Sequence, residues 1–274
     1  MKSINPKNGQ LIQTYQSHSA EQANRIIEQS HHAFMQWKCR SFDERASLLI
    51  RVAEQLLSTK QSLARLISEE MGKPIFEAVA EIEKCADVCR YYAANAQAQL
   101  ADDFIDTEYE ISKVTYQPIG CVLAIMPWNY PFWQVFRFAA PAIMAGNVAL
   151  LKHADNVQGC ALKMQQIFLD AGFPEHIFST VLVDHDITKS MIEHPLVRAV
   201  TITGSTRAGK AVASIAGGVL KKCVLELGGS DAYLILADAD IDLAVAKCTQ
   251  SRLLNAGQSC ISAKRFYCAP VCVR

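Results

Sequence analysis

The stretch "GCVLAIMPWNYP", residues 120–131, decides how this chain folds. Its apolar run "CVLAIM" lacks any alternation of apolar and polar side chains, which is typical of a strand buried on both faces of a parallel sheet. Comparable runs follow along the chain and alternate with helical segments: "VALLK", "FSTVL", "RAVTIT", "KCVLEL" and "AYLIL". We therefore predict an α/β fold with a parallel sheet, whose ligands bind at the carboxyl ends of the strands.

The first hundred residues are predicted to be helical. Ser19 with Gln22 and Ser41 with Glu44 have the spacing of capping boxes, and the stretch that follows Ser41 ends at Gly72. A third helix is predicted for "FEAVAEIEKCADVCRYYAANAQAQL". The next segment, "YEISKVTYQP", alternates apolar and polar residues and favours an exposed two-stranded excursion.

Composition excludes several classes of protein. The chain has 274 residues, 50% hydrophobic and 20% charged, which is enough for one large or two modest globular domains. Its 27 basic residues balance 27 acidic ones without a basic block, so we expect no nucleic-acid partner. The start "MKSINPKNGQ" lacks the apolar run of a signal peptide and no apolar run is long enough to cross a bilayer, so we expect a cytoplasmic protein without a membrane partner.

The ten cysteines are expected to be reduced, and most of them to be small buried hydrophobes. Cys85 with Cys89, and Cys268 with Cys272, form two C-x3-C pairs. No histidine stands at ligand spacing, and the first pair lies one turn apart in a helical run. We therefore predict no metal site.

Polar residues follow two of the predicted strands directly. Asn129 is held between two prolines after "CVLAIM", so its amide could stabilise an oxyanion, although the pentapeptide alone fits a rigid turn with a capping Asn. Lys152 and Asp155 follow "VALL", and a lysine at such a place is commonly a solvated strand end. These turns are binding candidates only in combination with others.

Two further turns offer a phosphate site and a carboxylate. In "GSTRAGK", Gly204, Ser205 and Gly209 let backbone amides approach a phosphate at a helix N-terminus, but Ala211 replaces the hydroxyl that a P-loop requires. Glu226 ends "KCVLEL" just before two glycines. It is either a general base or a buried structural carboxylate that needs a partner.

Taken in order, five motifs resemble the aldehyde dehydrogenase superfamily from about Asn5 to Phe266: "PWNYP", "LLKHAD", "TGSTRAGK", "LELGGSD" and "NAGQSCISAKR". The wording between them is most similar to the bacterial succinate semialdehyde dehydrogenase branch. The resemblance implies a Rossmann-like NAD(P)-binding domain with N-terminal helices, formed by residues 1–108 and 119–229. It also implies a protruding hairpin of the oligomerisation type at 109–118, and the start of an incomplete second α/β domain, the catalytic one, at 230–274.

The resemblance assigns catalytic roles to three residues. Cys260 would attack the aldehyde carbon to give a thiohemiacetal, and hydride transfer to nicotinamide would leave a thioester. Glu226 would activate the water that hydrolyses this thioester. The Asn129 side-chain amide and the Cys260 backbone amide would stabilise the oxyanion, each donor being worth about 3 to 4 kcal/mol.

The resemblance also places the cofactor and the substrate. Lys152 would hold the adenosine ribose, Asp155 would repel a 2'-phosphate and so slightly favour NAD over NADP, and the rest of the cofactor would contact Trp128, Gly204, Ser205, Gly209 and Gly228. Arg137 would bind the carboxylate of a small aldehyde, which in this branch is succinate semialdehyde. Leu254 stands where some members carry a second arginine.

Members of the family are substantially longer than this chain. They continue through a Glu-x-Phe-Gly-Pro segment and a terminal strand that pairs subunits, whereas here the tail "YCAPVCVR" follows "AKRF". We therefore expect a truncated chain with exposed apolar surface, in which the family's homo-oligomer is not assured. The alternative to an active oxidoreductase is a nucleotide-binding remnant without catalytic activity.

Overall fold

A computed structural model of the protein describes residues 1–269. The strands are β1 (Lys2–Ile4), β2 (Leu11–Thr14), β3 (Asp103–Phe104), β4 (Lys113–Val114), β5 (Cys121–Met126), β6 (Val148–His153), β7 (Phe178–Thr180), β8 (Val197–Gly204), β9 (Lys222–Leu227), β10 (Asp231–Ile235) and β11 (Ala263–Cys268). The helices are α1 (Ala20–Trp37), α2 (Phe42–Ser58), α3 (Lys60–Met71), α4 (Ile75–Gln99), α5 (Trp133–Met144), α6 (Gln158–Asp170), α7 (His185–Glu193), α8 (Thr206–Gly218) and α9 (Ile241–Leu253).

A five-stranded parallel sheet forms the centre of the molecule, and it confirms the predicted α/β fold. Its strand order is β7-β6-β5-β8-β9. The strands β6 and β7 follow β5 on one side, and β8 and β9 then lie on its other side. Such a reversal leaves a crevice at the carboxyl ends of the two strands where it occurs. The crevice therefore lies between the residues that follow β5 and those that follow β8.

The N-terminal helices begin where the sequence predicts. Both capping boxes are present, with Ser19 and Gln22 at the start of α1 and Ser41 and Glu44 at the start of α2. The stretch that follows Ser41 is two helices and not one, because the chain leaves helical geometry at Thr59 before α3 begins. These helices bury Trp37, Leu49 and Leu63 against the sheet and one another.

The two-stranded excursion is a hairpin in which β3 pairs with β4. Its paired residues are 103–104 and 113–114, so the hairpin begins before residue 109, where the sequence predicts the protruding segment to start. Apolar side chains on it are exposed, including Phe104 and Tyr109. A role in assembly stays a prediction.

The run "AYLIL" lies outside the main sheet, within the segment 230–274 that the resemblance gives to a second domain. It forms β10, which pairs in parallel with β11 across α9 as a separate two-stranded sheet. The expectation of burial on both faces holds for β5 and β6 but not for β9, where Val224 is 58% exposed. The physical reason is incomplete cover, because α8 packs on the face of β9 that carries Leu227, whereas Val224 points to the opposite face.

Candidate functional site

A cavity of about 400 Å³ opens at the crevice between the ends of β5 and β8. Three residues with predicted catalytic roles line it: Asn129, Glu226 and Cys260. Predicted cofactor residues line it as well, namely Trp128, Gly204, Ser205 and Gly228. The tertiary structure therefore brings together residues that are separated by up to half the length of the chain.

The loop that carries Asn129 is held from behind by a buried histidine. His153 is fully buried at the end of β6; its Nδ1 lies 3.0 Å from the Ala154 amide nitrogen and 3.1 Å from the Met126 carbonyl oxygen, and its Nε2 lies 3.0 Å from the Pro131 carbonyl oxygen. Burial lowers the pKa of His153 to about 4, so the ring is neutral at physiological pH. His153 thus fixes the loop between β5 and α5 through hydrogen bonds of an uncharged ring.

A buried carboxylate holds the other side of the same loop. Glu81 on α4 accepts hydrogen bonds from the amides of Phe132 and Trp133, both at 2.9 Å, and so satisfies the first turn of α5. Its second oxygen pairs with the buried ammonium of Lys73, which also lies 4.1 Å from the centre of the Tyr130 ring. Burial lowers the pKa of Lys73 even though Glu81 opposes this shift.

The segment that leads to Cys260 bends through left-handed backbone. Asn255, Ala256 and Gly257 have φ angles of 57°, 54° and 76°, a conformation that Asn and Gly adopt readily and Ala does not. The Asn255 side chain is buried, and its amide donates to the carbonyls of Asn129 at 2.8 Å and Gln258 at 3.1 Å. Asn255 therefore joins the two loops that carry the candidate catalytic residues.

Asn129 is oriented towards the cysteine segment. Its Nδ2 donates to the Gln258 carbonyl at 2.8 Å, which uses one of its two N–H groups and leaves the other free to act as a donor. The backbone N–H of Cys260 makes no hydrogen bond to other atoms of residues 1–269. Both predicted oxyanion donors are thus free to bind a ligand.

Cys260 differs in environment from the buried cysteines. Its side chain is partly exposed. Among residues 1–269, burial raises the pKa of the partly buried Cys223 and of four buried thiols, which makes them poor nucleophiles: Cys85, Cys89, Cys121 and Cys160. The expectation that most cysteines are buried hydrophobes is therefore confirmed for these four, while Cys272 lies outside the described residues. Cys39 and Cys268 are exposed, contrary to the expectation of burial.

Two residues with separately predicted roles contact each other. Arg137 on α5 donates to Glu226 Oε1 at 2.5 Å, and both side chains are partly exposed. Sequence reasoning gives the arginine to the substrate and the carboxylate to catalysis, and it anticipates no pairing between them. A guanidinium has five N–H donors, so the pair leaves Arg137 with further donors.

The N-terminus of α8 has the geometry of an anion site. Ser205 caps the helix by accepting from the Ala208 amide at 3.2 Å, and a side chain added at Gly204 or Gly228 would meet no close contact. The crevice therefore has room at this point for a diphosphate beside a helix N-terminus. Gly209 does not line the cavity; an added Cβ there would lie 2.4 Å from Leu227, so helix–strand packing is what requires this glycine.

Lys152 and Asp155 lie at the end of β6, away from the lining of the cavity. Lys152 is buried and not a solvated strand end, and its ammonium donates to Asp155 Oδ1 at 3.0 Å while Asp155 remains largely exposed. The two residues form one polar group beside β5. A ribose with two hydroxyls could bind to this group.

A second cavity of about 250 Å³ meets the first at Cys260. It is lined mainly by apolar surface, together with charged residues of α4 and α5: Glu77, Glu81, Lys84 and Arg137. Cys260 lies at the boundary of both cavities, as do Gln134 and Ser259. The thiol is therefore accessible to one ligand from the strand ends and to another from the side of α4.

Several residues that position the site are not predicted from the sequence. The positions of the loops depend on Asn255, Glu81 and Lys73. The Lys264 ammonium donates to the carbonyls of Cys260 and Gly229, both at 2.7 Å, and so links these two segments. Only Asn255 carries a local signal, because an Asn two residues before a Gly favours left-handed backbone. The others are ordinary helix or strand residues until tertiary contacts are known.

Within residues 1–269, no cluster of three or more His, Cys, Asp or Glu side chains has the arrangement needed to ligate a metal ion. In the same range, no helix combines the length and apolar character needed to cross a membrane.

Comparison with known proteins gives one consistent result. The sequence profile of the aldehyde dehydrogenase family matches residues 1–271. A probable succinate-semialdehyde dehydrogenase [NADP(+)] of Synechocystis is 48% identical over 263 residues, covering 96% of this chain and 58% of the relative. The succinate semialdehyde dehydrogenase [NAD(P)+] Sad of Escherichia coli is 43% identical over 264 residues, covering 96% and 57%.

A solved structure also has a closely similar fold. The succinic semialdehyde dehydrogenase of Streptococcus pyogenes, in complex with NADP+, superimposes with a TM-score of 0.94 at 34% identity and covers 97% of this chain and 58% of its own. The chain thus spans a little under three fifths of the length of these relatives. The similarity extends over nearly the whole of this chain.

Proposed function

Because the chain belongs to the aldehyde dehydrogenase family, we propose that it carries the cofactor site and the nucleophile of an enzyme that oxidises an aldehyde to the carboxylic acid. The supporting observation is the single cavity that Asn129, Glu226 and Cys260 share with the N-terminus of α8. Sulfur, amide donors and a carboxylate around one accessible point are the groups that acyl chemistry at an aldehyde carbon needs.

In the first step the Cys260 thiolate adds to the aldehyde carbon, and the carbonyl oxygen takes up the negative charge. The free N–H of the Asn129 amide and the backbone N–H of Cys260 donate to this oxygen. The bond between Asn129 and Gln258 supports this role, because it fixes the amide before any ligand binds. A preorganised donor needs no reorganisation when the charge develops.

A nicotinamide dinucleotide, when bound, would supply the acceptor for the hydride that leaves the aldehyde carbon held on Cys260. Ser205, Gly204, Trp128 and Gly228 would hold its central part at the crevice, and Lys152 with Asp155 would hold the ribose. The names of the two relatives include the cofactors NADP(+) and NAD(P)+. The slight preference for NAD that Asp155 suggests stays a prediction.

In the last step water attacks the thioester carbon, the carbon–sulfur bond breaks, and the acid leaves. Glu226 accepts the proton of this water. Its Oε1 is engaged by Arg137, while its Oε2 makes no hydrogen bond within the described part of the chain and is free to act. Arg137 therefore orients the carboxylate and has further donors for a substrate carboxylate, as expected for succinate semialdehyde or another small acid aldehyde.

The experiment mixes the purified chain with succinate semialdehyde and either NAD or NADP. We expect absorbance of reduced nicotinamide and a covalent adduct on the Cys260 peptide, which mass spectrometry detects. Cys260→Ser should abolish both signals. Cys248→Ser, a partly buried cysteine on α9, is the matched control and should retain them.

A second candidate function is nucleotide binding without turnover. The observation in its favour is the apolar surface of the last strands and helix, where Leu234, Val245 and Phe266 are substantially exposed. Calorimetric binding of NAD or NADP, with neither reduction nor a Cys260 adduct, would favour this second function. Absence of both binding and adduct would contradict both.

A further inference from the structure

The cavity on the α4 side of Cys260 holds one cation without a carboxylate partner. Lys84 and Arg137 both line it. Arg137 is paired with Glu226, whereas no carboxylate in residues 1–269 lies within 4.0 Å of the Lys84 ammonium. Lys84 is therefore an unpaired positive charge on this wall, in addition to the N–H donors of Arg137 that Glu226 leaves free.

The two acidic residues of the same wall are engaged to different degrees. Glu81 is neutralised by the buried Lys73 and accepts two backbone N–H groups. Glu77 accepts from the backbone N–H of Asn255 at 3.1 Å through Oε1, while its Oε2 is buried without a hydrogen-bond partner among the described residues. Its carboxylate therefore lies at the end of the cavity where the cysteine segment begins, and it repels an anion there. Seven residues of helix separate Glu77 from Lys84, a rise of about 10 Å along α4.

The Lys84 side chain has a defined place. Its ammonium lies 3.8 Å from the centre of the Trp133 ring, within the range of a cation–π contact. Trp133 belongs to the same cavity wall and is only partly exposed. Lys84 itself is exposed, so the contact with Trp133 fixes the position of the charge at the mouth of the cavity without removing it from water.

We propose that Lys84 determines specificity by binding the remote carboxylate of an aldehyde whose carbonyl carbon lies at Cys260. The inference rests on the proposed function and names the substrate class of that site, a short aldehyde with an anionic far end. The far end points along α4 away from Glu77 and towards Trp133. A neutral aldehyde of the same length gains nothing from this contact.

Two alkylating reagents of similar size test the proposal without requiring turnover. Iodoacetate is an anion and iodoacetamide is neutral, so the ratio of their rates at Cys260 reports the charge of the cavity. We expect Lys84→Gln to lower the iodoacetate-to-iodoacetamide ratio by about fivefold, and Lys84→Arg to restore it. Peptide mass spectrometry gives the rates at Cys260 and at the exposed Cys39 in the same sample.

Lys163→Gln, on the exposed face of α6, is the matched control and should leave the ratio at the wild-type value. Added salt should lower the wild-type ratio and leave that of Lys84→Gln nearly unchanged. An unchanged ratio in Lys84→Gln, or a larger fall in Arg137→Gln, would overturn the proposal. The proposed function is judged separately, by whether Cys260 reacts faster with iodoacetamide than Cys39 does.

Discussion

The chain consists of two regions that are packed to very different degrees. The body, from the N-terminus through α8, buries most residues of its central strands, as Leu123 and Leu150 illustrate. In the C-terminal unit of β10, α9 and β11, the helix α9 has no buried residue and Val245 is 60% exposed. Since Cys260 belongs to the second region and Asn129 to the first, the site depends on contacts between a rigid support and a loosely packed element.

Those contacts are few and polar. Asn255 bonds to Asn129 and to Glu77, and Asn129 bonds to Gln258. Hydrogen bonds of this kind are directional, so they fix an orientation that apolar packing alone would leave variable. The body therefore supplies stability, while the C-terminal unit supplies the nucleophile.

The largest effect should come from the buried ion pair of the body. Glu81→Gln keeps an oxygen for the Phe132 and Trp133 amides but leaves the Lys73 ammonium buried without its counter-charge. We expect the free energy of unfolding to fall by about 3 to 5 kcal/mol. Urea denaturation measures this change.

The control for this prediction is Glu226→Gln, which removes the partly exposed pair with Arg137. Such pairs contribute about 1 kcal/mol or less. If both variants unfold at the same urea concentration as the wild type, the Glu81–Lys73 pair does not stabilise the body as we expect.

The next effect is the pH dependence that His153 gives to the body. Burial lowers its pKa from 6.5 to about 4, so between these values the unfolded chain binds a proton that the folded chain does not. The free energy of unfolding should therefore fall as the pH decreases from 6.5 to 4, by about 3 kcal/mol in total. Denaturation at several pH values measures the slope.

His153→Gln should lose this part of the slope, and the exposed His185→Gln on α7 should keep it. A variant at His153 with the full wild-type slope would show that other groups cause the dependence.

A smaller effect is expected where α8 packs on the edge strand β9. An alanine at Gly209 would place its Cβ 2.4 Å from Leu227, so the helix or the side chain must shift. We expect Gly209→Ala to cost about 1 to 3 kcal/mol of unfolding free energy. Thermal unfolding followed by circular dichroism measures it.

Gly217 on the same helix is the matched control, because an added Cβ meets nothing within 4 Å there. Gly217→Ala should be neutral or stabilising by about 0.5 to 1 kcal/mol. Equal stability of the two alanine variants would argue against tight packing at β9.

The smallest effect should come from the C-terminal unit. Leu243 on α9 is 54% exposed, and alanine has at least as high a helix propensity as leucine. We expect Leu243→Ala to change the free energy of unfolding by less than about 0.5 kcal/mol. A loss of several kcal/mol in urea denaturation would mean that this unit is packed as tightly as the body.

Local patterns in the sequence predict much of the fold. The apolar runs identify the strands, and the Ser19 and Ser41 signals identify two helix starts, because caps and periodicity act over a few residues. The apolar run "AYLIL" looks like those of the main sheet, yet it pairs with β11 in a separate sheet. A local pattern gives the type of an element but not its neighbour.

The sequence by itself determined the parallel α/β architecture, the order of the motifs and the identity of Cys260, Asn129 and Glu226 as candidates. Only the tertiary structure decided that Arg137 pairs with Glu226, that Gly209 serves packing, and that Asn129 bonds to a carbonyl 129 residues further along the chain. The physical reason is the separation along the chain over which each interaction acts. Propensities and caps are set within a helical turn, whereas ion pairs and hydrogen bonds between distant segments exist only once the sheet has brought its strand ends together.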